Sequence, residues 1–141
     1  EAAMDQYGKA FGVTFRPPVS RTYEQVDQQA EDGRIYNGPF QGRFTYSVEG
    51  PVHIELMEVS GEGVWAADGK SFHHLGVWSS DPHAQARDLE SAGFRWEARL
   101  HASDGSVPIV FVRNGDLRIE LLNESRQPNF RAWVEGRRDG P

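Results

Sequence analysis

The tripeptide Ile-Glu-Leu occurs twice in this chain, at 54–56 and at 119–121, each time inside an apolar run. Side chains alternate between the two faces of a strand, so each glutamate points away from the isoleucine and leucine beside it. Between the copies lies Ser71 to Trp78, read Ser-Phe-His-His-Leu-Gly-Val-Trp, where a second stretch of pattern begins. The repetition constrains the 141 residues to two related halves sharing one core, a length that suits one domain or two small modules.

The second half is the clearer one. Phe72 to Trp78 reads as a strand, and Asp81-Pro82 then places an N-cap acid before a proline whose missing N–H costs nothing at the first helical position. Ala86, Leu89 and Ala92 line one side of a helix that Gly93 stops. Arg95 to Ala102, Val107 to Arg113 and Leu117 to Asn123 follow as strands, the last two joined by Asn114-Gly115, a strong hairpin signal. This half is βαβββ.

The first half follows the same order with one piece missing. Glu1 to Phe11 has helical spacing and ends at Gly12, and Val13 to Arg16 reads as a short strand stopped by Pro17-Pro18. Arg43 to Val48 and Val52 to Glu58 form a hairpin, in which Val48 is expected opposite Pro51. Counting back from Gly12 as from Gly93 to His74 passes the start of the chain, so the first strand of the first half is absent from this sequence. The stretch from Gly12 to Glu55 is longer than that from Gly93 to Glu120, and the excess is read as an insertion around 17–41, a lid. The expected organisation is a first module over 1–58, a linker over 59–70, a second module over 71–123, and a tail over 124–141 with a short helix at Pro128 to Glu135.

Composition narrows the class of function. Fifteen Lys and Arg against 21 Asp and Glu give a net charge of −6, with no basic run to follow a phosphate backbone, so nucleic acid is excluded as a partner. The absence of cysteine removes disulfides, thiolate metal sites and thiol nucleophiles. No apolar run is long enough to span a bilayer, and no leader opens the chain, so we expect a soluble cytoplasmic protein with no membrane partner.

A lone glutamate on an alternating strand usually marks its wet face, but the repeat of Glu55 at Glu120 changes that reading. His74 shares a face with Phe72, Gly76 and Trp78, which is too apolar to be meant for water, while His73 is expected on the opposite face, under the helix. His53 is expected on the face of Glu55, whereas His83 and His101 read as surface residues. Phe44, Tyr46, Met57, Trp78, Phe111 and Leu122 are candidates to line a pocket. Arg113 and Arg118 flank the Asn-Gly turn; an arginine at a cavity mouth can hold a carboxylate or phosphate, and neither receives a role here.

Paired βαβββ modules with a His-His-Leu-Gly strand and closing Ile-Glu-Leu strands resemble the vicinal oxygen chelate superfamily, which holds glyoxalase I, methylmalonyl-CoA epimerase, extradiol dioxygenases and bleomycin-resistance proteins. The resemblance implies an α+β fold in which the two modules form a curved, half-open barrel-like sheet around a cavity. It implies Glu55, His74 and Glu120 as ligands of a divalent cation, with Zn, Ni, Co, Mn, Mg and Fe not distinguished, and a fourth ligand on the missing strand. It also implies a homodimer acting on a small molecule.

The activity implied is that of a lyase, isomerase or epimerase working on a carbonyl compound through a metal-stabilised enediolate, with Glu120 as the base. Two alternatives stand beside it: a metal-free protein that sequesters an aromatic antibiotic, and an extradiol-type dioxygenase. Phe40 precedes Gln41-Gly42 where the epimerase carries its proton-moving acid, which sets this chain apart from that member.

Overall fold

A computed structural model describes residues 1–59, 61, 63–66 and 72–141. The chain divides into two compact units: Glu1–Arg21, Gln41–Val59 and Arg126–Pro141 make the first, and Thr22–Phe40 with the described part of 60–125 makes the second. The class is α+β.

In the second unit β4 (Leu75–Ser79) leads into α2 (Pro82–Ser91), followed by β5 (Arg95–His101), β6 (Ile109–Asn114) and β7 (Leu117–Asn123). Asp81 caps α2 as its sequence requires, its Oδ1 accepting from the Ala84 N–H at 2.9 Å. Helix α2 covers one face of the sheet, where Ala86 meets Val110, Val112 and Leu121, all buried, with Leu89, Phe94 and Ile119 packed around them. Strand β4 runs parallel to β7, whereas β5, β6 and β7 are antiparallel neighbours.

Residues 17–41, read from sequence as an insertion, hold most of a long hairpin of β1 (Val19–Gln29) and β2 (Ile35–Tyr46). Its turn is closed by the Ala30 N–H donating to Arg34 O at 2.9 Å, with Gly33 at φ 84°. Strand β1 pairs with β5, so the second unit's strands run β2-β1-β5-β6-β7-β4. The sequence hid these strands because Val26 is the single buried residue of β1. The ladder rests on backbone hydrogen bonds, which leave no trace in side-chain periodicity.

In the first unit α1 (Ala2–Phe11) stops at Gly12, whose φ of 67° suits glycine. The expected strand at Val13 to Arg16 is reduced to one bridge, Phe15 to Ser47, with Arg16 N–H donating to Tyr46 O and Val48 N–H to Thr14 O. The last part of β2 pairs with β3 (Glu55–Val59), two residues out of the expected register: Tyr46 is opposite Glu55, and Phe44 opposite Met57. Ser47, fully buried, causes the shift by closing a longer loop, its Oγ accepting from the Ile54 N–H and its own N–H donating to Ile54 O. A two-residue shift leaves every side chain on its expected face. Helix α3 (Gln127–Val134) follows the second unit's last strand and buries Trp133 to 1% exposure.

Glu49 ties this loop to the segment after α1. Its carboxylate accepts from the Thr14 N–H at 2.7 Å and the Thr14 hydroxyl at 2.9 Å, and these bonds, the backbone one first, hold its pKa below the ordinary glutamate value. A carboxyl depressed in the folded state contributes stability that is complete above its unfolded pKa and lost as pH falls through the folded value. Glu49→Gln should therefore flatten the acid limb of a plot of urea midpoint against pH while leaving its slope near neutrality unchanged. An unaltered acid limb would show that the Thr14 bonds carry no such linkage.

Among the described residues, no helix is long and apolar enough to cross a membrane.

Candidate functional site

Glu120 lies in the middle of β7, and the sheet register fixes its neighbours as Phe111 on β6 and Gly76 on β4. Leu121 is fully buried against α2, so alternation turns Glu120 and Leu122 to the opposite face. Gly76 keeps room there: a Cβ at that position would lie 3.6 Å from Glu120 Oε2 and 3.3 Å from Leu122 Cδ1. His74, just ahead of β4, places Nε2 3.3 Å from Glu120 Oε2, the side chains being 7% and 11% exposed. Two of the three residues singled out from sequence therefore meet within the second unit.

Hydrogen bonds decide which nitrogen of His74 is protonated. His73 Nε2 lies 2.8 Å from Val64 O, and a carbonyl oxygen can only accept, so this nitrogen donates. In a neutral His73, Nδ1 is then the acceptor, and it takes the proton of His74 Nδ1 at 2.8 Å. Neutral His74 is left with a lone pair on Nε2, aimed at a carboxylate oxygen. Two lone pairs at that distance repel unless positive charge sits on or between them. A proton meets that need, and so does a divalent cation, for which imidazole nitrogen and carboxylate oxygen are a fitting donor set. The residues present fit a metal.

His73 does not pack under the helix as expected. It lies edge-on to Phe111 at 6.5 Å between ring centres, because residues 72–74 precede β4 and strand alternation does not govern them. Phe111 is 3% exposed, with the His74 ring at 5.5 Å and the Trp65 ring at 5.9 Å. Trp65 in turn stacks on Phe40 at 3.8 Å. Trp65 belongs to the linker expected over 59–70; part of that stretch, at 60, 62 and 67–70, lies outside the described residues, as does Ser71. A tryptophan in a glycine-rich run was the signal available. Trp78 stands opposite Leu122 across the parallel pair.

The first unit holds Glu55 with three of the proposed lining residues. Tyr46, opposite Glu55, donates its hydroxyl to that carboxylate, and Phe44 and Met57 form the next pair on the same face. The Tyr46 ring is fixed edge-on against Phe130 at 5.0 Å and Trp133 at 5.6 Å. His53 is occupied elsewhere: Nδ1 is 2.7 Å from Ser47 O, and its ring is edge-on to Phe130.

The two histidines expected at the surface are both part-buried. His101 Nε2 is 2.8 Å from Asp27 Oδ2. Burial first, and then the charge of Arg99, holds His83 below the usual imidazole value.

No curated protein matches this chain. The family profile described as the Glyoxalase/Bleomycin resistance protein/Dioxygenase superfamily matches residues 1–111, reaching from α1 through β4 and α2 into β6. With most of its length covered by that match, the chain belongs to the glyoxalase/bleomycin resistance protein/dioxygenase superfamily.

Proposed function

We propose that the chain is a metal-dependent enzyme of lyase, isomerase or epimerase type acting on a carbonyl-bearing small molecule, with Glu55, His74 and Glu120 holding a divalent cation. The observation that carries this reading is the part-buried His74–Glu120 pair, whose histidine already spends its other nitrogen on His73. A bound divalent ion would lower the cost of negative charge developing on substrate oxygens.

The chain's own residues supply the remainder. Glu120 is the base that takes a proton from the carbon beside the carbonyl. His73 is a positioning residue that keeps His74 in the ligating tautomer, as partners behind metal-bound histidines do. The Tyr46 hydroxyl orients the Glu55 carboxylate. Phe44, Tyr46, Met57, Trp78, Phe111 and Leu122 are the proposed apolar lining, which excludes water and strengthens each polar contact. The reading includes a homodimer, an assembly frequent in this superfamily, and a cytoplasmic location.

Elemental analysis tests it directly: the purified chain should carry about one equivalent of a divalent ion. His73→Ala should weaken uptake of that ion roughly 10- to 100-fold without unfolding the chain. A protein that takes up no divalent ion would lose the metal reading and leave sequestration of an aromatic ligand in its place.

A further inference from the structure

Three arginines stand in one row across the second unit's sheet: Arg95 on β5 is opposite Arg113 on β6, which is opposite Arg118 on β7. Like charges in directly opposed positions repel, so such a row needs compensation. Glu97, 3% exposed, provides part of it from the bulge between Trp96 and Ala98. Its Oε2 accepts from Arg118 Nε at 2.6 Å, and its Oε1 lies 3.0 Å from Arg95 Nη2 and 3.5 Å from Arg113 Nη1. Among the described residues, the one further acid in ion-pair range is Glu31, 3.9 Å from Arg95 and 86% exposed, where water screens it. One buried carboxylate therefore answers three guanidinium groups.

The excess charge is accessible. Arg118 is 9% exposed and bound to Glu97 through two nitrogens, whereas Arg95 and Arg113 are 34% and 24% exposed. Apart from Glu97, Arg113 spends its Nε on Gly115 O and Arg95 its Nη1 on Gln29 O, so among the described residues each of these five-donor forks keeps N–H groups unspent. Arg118 precedes Glu120 by two residues on β7, which puts the row on the face of Glu120 and about 7 Å along the strand.

We infer that Arg95 and Arg113 form a subsite for an oxyanion, a carboxylate or a phosphate, carried by the small molecule this chain acts on. The anion-binding claim stands on the arginine row alone, and its identification with the substrate rests on the proposed function. Glu97 positions the forks by holding their inner N–H groups, and the outer ones face the anion in the bidentate geometry that arginine favours. A substrate so held would present its carbonyl toward Glu120 from a fixed end.

The test uses the whole chain labelled with nitrogen-15, titrated at constant ionic strength with inorganic phosphate and, separately, with acetate, while the arginine Nε–H resonances are followed. Saturable shifts at Arg95 and Arg113 are expected, weakened about tenfold or more in Arg95→Gln/Arg113→Gln. Metal uptake, measured in parallel, should be unchanged in that variant. Tighter phosphate binding assigns a phosphorylated ligand, and tighter acetate binding a carboxylic acid. Should the double variant not fold, the more exposed Arg95→Gln carries the comparison. If neither anion gives a saturable shift, or the variant binds both as the wild type does, the subsite is overturned. Saturable shifts in a chain that binds no metal would keep the subsite and reject the enzyme reading.

Discussion

Glu120→Gln should slow exchange of solvent protons into the carbon beside the substrate carbonyl by roughly 10²- to 10⁴-fold, the span that a general base contributes. Glutamine keeps the side-chain shape and one oxygen, and the space beside Gly76 still admits it, but it cannot take the proton. Binding of substrate should change by no more than a few fold, since the substitution leaves the proposed apolar lining untouched. Deuterium incorporation measures the exchange, and metal content must be measured in the same variant, because an amide is a poorer ligand than a carboxylate and an emptied site would give the same loss. A metal-loaded variant that exchanges at the wild-type rate would remove Glu120 from the role of base.

Glu97→Ala should cost about 3–5 kcal/mol of stability, the range seen when one member of a buried ion pair is deleted. The loss is large because of what stays behind: Arg118, 7% exposed as a residue, would lose its carboxylate while still facing Arg113 across the ladder. A domain of this size is stable by only about 5–15 kcal/mol, so urea unfolding should show the change as a large drop in midpoint. Adding Arg118→Met should restore much of it, since an apolar side chain in that place leaves no unpaired charge. A loss under about 1 kcal/mol would mean that the arginine row is solvated well enough to stand without Glu97.

Much of this was legible in the amino-acid sequence wherever a local signal had one physical meaning. Asp81-Pro82, Gly93 and Asn114-Gly115 each dictate a backbone geometry, and the second unit's helix and its final hairpin lie where these residues put them. The meeting of His74 with Glu120 was expected from the repeat and the family resemblance; alternation accounts for the facing of Glu120 on β7, whereas His74 lies ahead of β4. Hairpin β1–β2 was not legible, because Thr22, Glu24 and Gln28 carry no apolar period and the pairing with β5 joins residues far apart in sequence. The bulge at Glu97 was also hidden: Arg95 to Ala102 reads as a regular strand, and nothing local announces that one residue drops out of register to meet three arginines. His73 was misplaced for a related reason, since alternation was applied ahead of the point where the strand begins.

The parallel pairing of β4 with β7 bears on how this protein folds. Neighbouring parallel strands cannot be joined by a tight turn, and here α2, β5 and β6 all intervene between Leu75 and its partner Ile119. Closing that contact demands a long loop, which loses chain entropy early and is repaid late, so the β4–β7 ladder belongs among the slow steps of assembly. His74 and Glu120 come together across this ladder, and a ligand held by both recognises the native chain and ignores the unfolded one. At a hundred times its dissociation constant, such a ligand would add about 2.7 kcal/mol to the stability of the native state by mass action. The half-life of the folded chain in the cell would then rise and fall with the supply of whatever occupies the space between those two side chains.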